Sequence, residues 1–364
     1  MRKEVLINQP EEWNRIVTSF HKYDVYYLSE YVKAFQIHGD GEPALFYYED
    51  DGIKAVNVFI LRDIEADKRF KNQIPQGAYF DITTPYGYGG FLIEGNITRD
   101  TVKRLEKEYT DYCINKGIIS EFVRFHPLLS DYETLEMLYH ISKLGKTIVI
   151  PLNSKEEIWN NLTSKNRNMV RKAVKSGVEI YWGRSKDLIK SFMPLYKATM
   201  DKDKAKPYYY FGEDFFHSIL YDLKNQAVLF YAVYQKHIIS MAVLLLTNGH
   251  MNYHLSASQK VYQHLAPTNL LLYEAACWGF DNGFKTFHLG GGLGSKEDSL
   301  YRFKSSFSRD SDYTFTIGTK IFDQEKYDQL IEIRKKEMQK SNHSDTTMLQ
   351  SATDFFPLYR GDYL

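Results

Sequence analysis

The chain has 364 residues, with 46 Lys and Arg balanced against 46 Asp and Glu. That length is too great for one ordinary core and suits two domains, and a zero net charge supplies no global field for nucleic acid or an anionic membrane. Cys113 and Cys277 build neither a disulfide framework nor a C-x-x-C site and fit a reducing compartment. The opening "MRKEVLINQPEEWNRI" has no apolar h-region, and no apolar run reaches the ~18 residues a bilayer demands, so a cytoplasmic chain is expected. The 29 Tyr and 23 Phe suit amphipathic ligands such as sugars, and equally suit strand positions.

In chain order, "ALFYYEDDGIKAVNVFILR" from Ala44 reads as a β-hairpin: two β-branched and aromatic runs around a polar turn. "FDITTPYGYGGFL" follows, a strand end passing into turn residues and aromatics; Asp81, Tyr86 and Tyr88 read as a cleft rim or an ordinary turn. "YCINKGIISEFVRFHPLL" is the end of an amphipathic helix closed by Gly117, then a short strand. It carries Arg124 and His126, with Arg124 a structural cation or an anion clamp. The same order recurs later. "AVLFYAVYQKHIISMAVLLL" from Ala227 is a second hairpin, and "WGFDNGFKTFHLGGGL" from Trp278 a second helix–Gly–strand closed by Gly283. Two diverged copies of one α/β unit are expected, with a boundary near Lys146: 1–146, 147–340, and a tail 341–364. The second copy reads β-α-β-α-α-β-β-β-α-β-β-α, a mixed sheet with helices on its faces. Its first helix is expected to be long, capped by Ser154 and running to Gly177. Pro267 opens a later one. Ser341–Ala352 is polar and expected to be mobile, and "DFFPLYRGDYL" regains the aromatics to dock back.

Four stretches bear on chemistry. "FHLGGGLGSK" lacks the Gly-Lys-Ser/Thr of a Walker loop and the spacing of a dinucleotide fingerprint. Its glycines at a strand end permit splaying and close backbone approach. "SKNRNMVRKAVKSG" puts Lys165, Arg167, Arg171, Lys172 and Lys175 on one helix, with Arg167 and Arg171 four apart on one face; this reads as a phosphate clamp or as a solvated face. In "NYHLSASQ", strand alternation aligns His254, Ser256 and Ser258, with His254 a candidate base or a histidine satisfied in the sheet. "YQHLAPTN" leads into the helix at Pro267 with Thr268 and Asn269 in its first turn, where backbone amides can hold an anion. No metal-ligand spacing and no G-x-S-x-G elbow appear in the chain.

With these stretches in hand, the element order of the second copy resembles the GNAT acyltransferase fold. Two such units in tandem, with a groove between them, resemble the FemABX-like branch of peptidoglycan aminoacyltransferases and related envelope-polysaccharide proteins. The resemblance rests on "NLTSKNRNMVRKAVKSGVEI", "FVRFHPLL", "TPYGYGG", "LAPTNLLLYEAACWGFDNGFKTFHLGGG" and the later "FK", and spans about Tyr27 to Lys320. It implies an α/β, mixed-sheet acyltransferase that moves an acyl or aminoacyl group to an amine of a cell-envelope glycan or peptidoglycan precursor by direct attack. It places Phe303 and Lys304 near the activated acyl end, with His254 available for the proton. Arg167, Arg171, Arg124, Asp81, Ser256, Tyr86 and Tyr88 fall to the acceptor, and Pro267, Thr268, Asn269 and Gly291 to the donor. No tightly bound cofactor and no metal are implied, and the donor is acyl-CoA or aminoacyl-tRNA. The CoA loop Q/R-x-x-G-x-G/A has no glycine here, and the coiled-coil arm of some Fem enzymes is absent. The acceptor class is a small-molecule, nucleotide-linked or lipid-linked glycan; DNA is not expected, and membrane contact is peripheral at most. Two other readings stand beside this one: an acetyl-CoA-dependent N-acetyltransferase on a nucleotide-linked amino sugar or small amine, and a non-catalytic glycan-binding module.

Overall fold

The computed structural model describes residues 1–309, 312–340 and 355–361. The expected mobile stretch 341–352 lies outside them. The elements are β1 (Arg2–Leu6), α1 (Pro10–Thr18), α2 (Ser29–His38), β2 (Glu42–Asp50), β3 (Ile53–Asp63), β4 (Phe80–Thr83), β5 (Leu92–Gly95), α3 (Arg99–Asn115), β6 (Ile118–Arg124), α4 (Tyr132–Leu135) and β7 (His140–Pro151). Next come α5 (Lys155–Asn161), α6 (Ser164–Lys175), β8 (Glu179–Gly183), α7 (Lys186–Lys202), α8 (Glu213–His217), β9 (Ala227–Tyr234), β10 (His237–Thr247), β11 (His250–Ser258), α9 (Pro267–Asp281), β12 (Thr286–Gly290), α10 (Ser299–Ser305), β13 (Asp312–Ile321) and α11 (Gln324–Lys340).

The chain divides into two compact units. The first holds Met1–His21, Gly39–Lys143 and the described residues from Thr316 on; the second holds Lys22–His38 and Leu144–Phe315. The linear division at 146 therefore misses an excursion. Residues 22–38, which include α2, belong with the later half because Tyr31 and Phe35 are fully buried and the Phe35 ring meets Phe215 at 5.1 Å. No periodicity marks this, since a helix shows which face it buries and not which partner covers it.

In the first unit the strands run β1-β2-β3-β4-β6-β13, with β5 also on β3; β4 and β6 are parallel and the other pairs antiparallel. In the second they run β7-β12-β11-β10-β9-β8, with β11 and β12 the parallel pair. The two hairpins, β2–β3 and β9–β10, and the two helix–Gly–strand steps, α3–Gly117–β6 and α9–Gly283–β12, stand in the order the repeat predicts. Gly117 and Gly283 take φ of +71° and +81°, and at Gly117 a Cβ would lie 2.6 Å from the Ala78 carbonyl oxygen. Each unit has its own core. Phe46, Phe59, Tyr109 and Phe125 centre the first, and Ile150, Leu244, Leu271 and Phe287 the second.

The long helix expected from Ser154 to Gly177 is two helices. Ser154 caps α5, its Oγ accepting from Glu157 N at 3.0 Å. Leu162 then turns extended at ψ 140°, and Thr163 caps α6, accepting from Asn166 N at 3.2 Å. The hydroxyl of Thr163 out-competes helix continuation, the usual action of Ser and Thr at a helix start. The short α10 had no separate expectation; Asp298 caps it, accepting from Tyr301 N at 2.8 Å.

Candidate functional site

The parallel pair in the second unit is brief. His250, Met251 and Asn252 face Thr286, Phe287 and His288, and no pairing follows. β11 runs on to Ser258 and β12 to Gly290, so the strands part beyond residue 252. Each has an irregularity at that point. On β11 the register against β10 skips His254, and on β12 the register against β7 skips Leu289. An extra residue on one strand bends it and raises its local twist, which is what separates two neighbours.

The bulge also corrects the expected alternation. In a regular strand residues 253 and 256 lie on opposite faces. Here the Tyr253 hydroxyl donates to Ser256 Oγ at 2.6 Å, because His254 supplies the extra residue that reverses parity. Tyr253 was therefore not legible as a site residue, although it stands inside the motif.

Lys304 of α10 ends where the strands part. Its side chain is 9% exposed, and its Nζ donates to the Gly291 carbonyl at 2.8 Å and lies 5.9 Å from the Tyr253 ring centroid. Among the described residues its one hydrogen bond is to that carbonyl, and the one charge that acts on it is that of Asp298. Burial pushes the ammonium down to about 8, with the charge of Asp298 pulling the other way. The amine is thus mostly charged at neutral pH and held in a desolvated place.

The glycine run follows from this packing. Gly290 has φ +75°, and a Cβ there would stand 3.3 Å from Lys304 Nζ. At Gly291 a Cβ would meet the Lys146 carbonyl at 2.6 Å, and at Gly292 the Lys296 carbonyl at 2.1 Å. The chain itself makes the close approach that glycine permits. Phe303 packs partly buried against the core, edge-on to Phe307 at 5.4 Å.

His254 is kept neutral: burial pushes it down to about 3, and its ring meets that of Tyr31 at 5.7 Å. An efficient base titrates near working pH, so His254 is poorly suited to taking the proton. On the same strand Asn252 Nδ2 donates to Asp24 Oδ2 at 2.9 Å, both residues being buried. Asp24, like Tyr31, arrives on the N-terminal excursion that sequence reasoning did not connect with this strand.

At the start of α9, Ala266 takes φ +54° and Pro267 is the first helical residue. Thr268 Oγ1 lies 3.2 Å from Ser240 Oγ, and Asn269 Nδ2 donates to Asn166 Oδ1 at 2.8 Å. Asn166 Nδ2 in turn donates to the Ser306 carbonyl at 3.2 Å, tying α6 and α9 to the end of α10 that bears Lys304.

The paired-guanidinium clamp is not formed by Arg167. Its Nη1 donates to the carbonyls of Leu162 at 2.6 Å and Asn160 at 3.2 Å, so it closes the C-terminus of α5. That role exists only because the helix breaks at 162. Arg171 is exposed and stacks over Trp159 at 5.1 Å.

In the first unit Asp81 is fully buried, with Arg62 Nε donating to Oδ1 at 2.6 Å and Tyr359 and Arg360 on Oδ2. Both carboxylate oxygens are used inside the fold, which removes Asp81 from the ligand-contacting set. The two arginines hold its carboxyl below the usual range against the opposing effect of burial. Tyr86 and Tyr88 follow β4 in a loop laced to β6: Thr84 N donates to Phe122 O at 3.2 Å and Gly89 N to Arg124 O at 2.8 Å. The Tyr88 ring meets His126 at 5.6 Å, and the Arg124 guanidinium lies over the Phe122 ring at 5.4 Å. Here the chain closes the parallel pair that parts in the second unit.

Among the described residues no helix is long and apolar enough to cross a membrane. Residues 163–305 match the family model described as "Acetyltransferase (GNAT) domain". No curated protein sequence matches the chain. Among solved structures, the crystal structure of FemX is 15% identical, covers 91% of this chain and 100% of its own, and superposes with a TM-score of 0.64. The C-terminal domain of a putative lysylphosphatidylglycerol synthetase from Agrobacterium fabrum is 12% identical over 86% of this chain and 91% of its own, at a TM-score of 0.54. A tandem GNAT protein from the clavulanic acid biosynthesis pathway is 7% identical over 88% of this chain and 98% of its own, at 0.50. Residues 163–305, which hold the parting strands, the glycine run and Lys304, are thus the part that matches a GNAT acetyltransferase domain, and the chain as a whole has the fold of FemX.

Proposed function

We propose that the chain transfers an acyl or aminoacyl group from an activated ester or thioester to an amine of a cell-envelope glycan or peptidoglycan precursor. The observation that carries this reading is the buried Lys304 ammonium between the separated ends of β11 and β12. The acceptor nitrogen attacks the donor carbonyl carbon, the carbonyl oxygen becomes an oxyanion, the C–S or C–O bond breaks, and the leaving sulfur or oxygen takes the proton the amine gives up. Lys304 supplies positive charge for the oxyanion in a desolvated place, where such charge acts most strongly. Much of the remaining acceleration comes from holding the two partners together, which suits a site whose histidine is a weak base. Gly290 and Gly291 let the strand end pack closely on Lys304 and the Lys146 carbonyl, and the first-turn amides of Thr268 and Asn269 suit a donor phosphate. In the first unit Tyr86, Tyr88 and Arg124 are assigned to the acceptor, and in the second Arg171 and Ser256.

The FemX likeness supports aminoacyl transfer to an envelope precursor, and the GNAT match equally supports acetyl transfer from acetyl-CoA. Transfer assays with acetyl-CoA and with aminoacyl-tRNA as donors separate the two, and mass spectrometry of molecules that co-purify with the chain identifies the acceptor. A Lys304→Ala variant with full transfer activity refutes the reading.

A further inference from the structure

Residues 355–361 return to the first unit and make contacts that acyl transfer does not require. The Tyr359 ring is fully buried, with Phe70 at 5.9 Å and Tyr327 at 5.3 Å. Its hydroxyl donates to Asp81 Oδ2 at 3.0 Å and lies 2.8 Å from Ser120 Oγ. Arg360 binds the same Asp81 oxygen through Nε and reaches Asp67 Oδ2 at 3.3 Å, while Arg69 Nη1 donates to the Arg360 carbonyl at 2.9 Å. Asp81 and Ser120 lie on β4 and β6, so this one segment contacts side chains from both strands of the parallel pair, and Arg62 on β3 shares the Asp81 carboxylate.

The contact falls where strand register is weakly specified. β4 has four residues, and its pairing with β6 shifts at once: Phe80 faces Ile118, but Asp81 faces Ser120, leaving Ile119 unmatched. Few pairs specify a register poorly, and a slip of one residue moves every side chain to the other face. The chain beyond β4 carries Tyr86 and Tyr88 and is fixed to β6 through Thr84 and Gly89. A slip would break both of those bonds and turn the tyrosines over. Asp81 adds a penalty for release: with Arg360 gone, a wholly buried carboxylate keeps Arg62 as its one ion-pair partner among the described residues.

We propose that Tyr359 and Arg360 are positioning residues that lock β4 in register on β6 and thereby fix how the loop after β4 presents Tyr86 and Tyr88. Its functional meaning rests on assigning those tyrosines to the acceptor; the latch itself is measured without any acceptor.

The experiment is hydrogen–deuterium exchange on the full chain, read on peptides covering 80–91 and 118–126, with peptides from β9 to β11 as the internal control. The variants are Arg360→Gln, Arg360→Lys and Tyr359→Phe. In Arg360→Gln, exchange over 80–91 rises about tenfold or more while the control peptides keep their wild-type rates, as for a local opening. Tyr359→Phe gives a smaller rise over the same peptides, and Arg360→Lys restores most of the protection. Unchanged exchange over 80–91 in both Arg360→Gln and Tyr359→Phe overturns the proposal, as does a rise spread equally over the control peptides. Should Arg360→Gln fail to fold, Tyr359→Phe decides alone. Local loosening in these variants, combined with wild-type transfer by Tyr86→Ala and Tyr88→Ala, supports the latch and removes the acceptor assignment.

Discussion

Replacing Lys304 by Met tests the central electrostatic claim, because it should strengthen the fold while abolishing transfer. Burial lowers the Lys304 ammonium from 10.5 to about 8. At about 1.4 kcal/mol for each pKa unit, the charged form costs roughly 3 kcal/mol of stability at pH 7. Met fills a similar volume without charge but gives up the 2.8 Å bond to Gly291, worth about 1 kcal/mol. The net gain is about 2 kcal/mol, which for a unit of this size raises Tm by roughly 4–8 °C. The pH dependence has a definite sign. Between about pH 8 and pH 10.5 the unfolded chain holds a proton on this amine that the folded chain has lost, so wild-type stability rises across that window. Below pH 8 both states are protonated and the penalty is constant. Thermal unfolding of wild type and Lys304→Met at pH 7 and pH 10.5 therefore shows a gain at pH 7 that disappears at pH 10.5. A variant less stable than wild type at pH 7, or a difference independent of pH, refutes the claim that the ammonium is held at a cost.

The same titration reaches activity: if the cation stabilises the oxyanion, the rate constant under saturating substrate falls as pH rises through about 8, whereas a rate that climbs there assigns Lys304 to the neutral amine instead. Gly290→Ala forces a side chain into φ +75° and to 3.3 Å from Nζ, so transfer falls at least tenfold with acceptor affinity preserved, measured as a kcat effect at unchanged KM. Arg167→Ala removes the bonds to Leu162 and Asn160 and costs about 1 kcal/mol in denaturant unfolding, with no change in the salt dependence of transfer, as befits a helix-end contact. Glu121 is fully buried, accepts from Asn57 Nδ2 at 2.8 Å, and is pushed up to about 7 by burial. The folded chain keeps this proton after the unfolded chain has lost it, so wild-type stability falls as pH rises from about 4.5 to 7, and Glu121→Gln flattens that slope in pH-dependent melting.

How much of this was legible in the sequence depends on what kind of signal each feature leaves. The two hairpins and the two helix–Gly–strand steps were readable because they rest on local periodicity and on Gly117 and Gly283, which serve positive φ. The glycines at the end of β12 permitted splaying, but which strand parts from it, and why, was hidden. Bulges at His254 and Leu289 are mismatches between two strands, and one strand read alone does not contain them. The same bulge moved Tyr253 onto the side of Ser256 and left His254 against Tyr31, which is why alternation aligned His254 rather than Tyr253 with Ser256. Arg167 and Asp81 failed for a related reason. A charged side chain in a motif shows what it can bind, while its occupant is set by tertiary structure: a helix end created by Thr163 for one, and a segment 278 residues away in sequence for the other. Lys304 combines features that oppose one another. It is buried, yet its one hydrogen bond among the described residues is to a carbonyl; its amine is lowered, yet that carbonyl holds it. Folding alone would favour a Met there. That conflict between local stability and residue choice is the strongest argument that position 304 serves chemistry, since strain retained in a fold concentrates where function needs it.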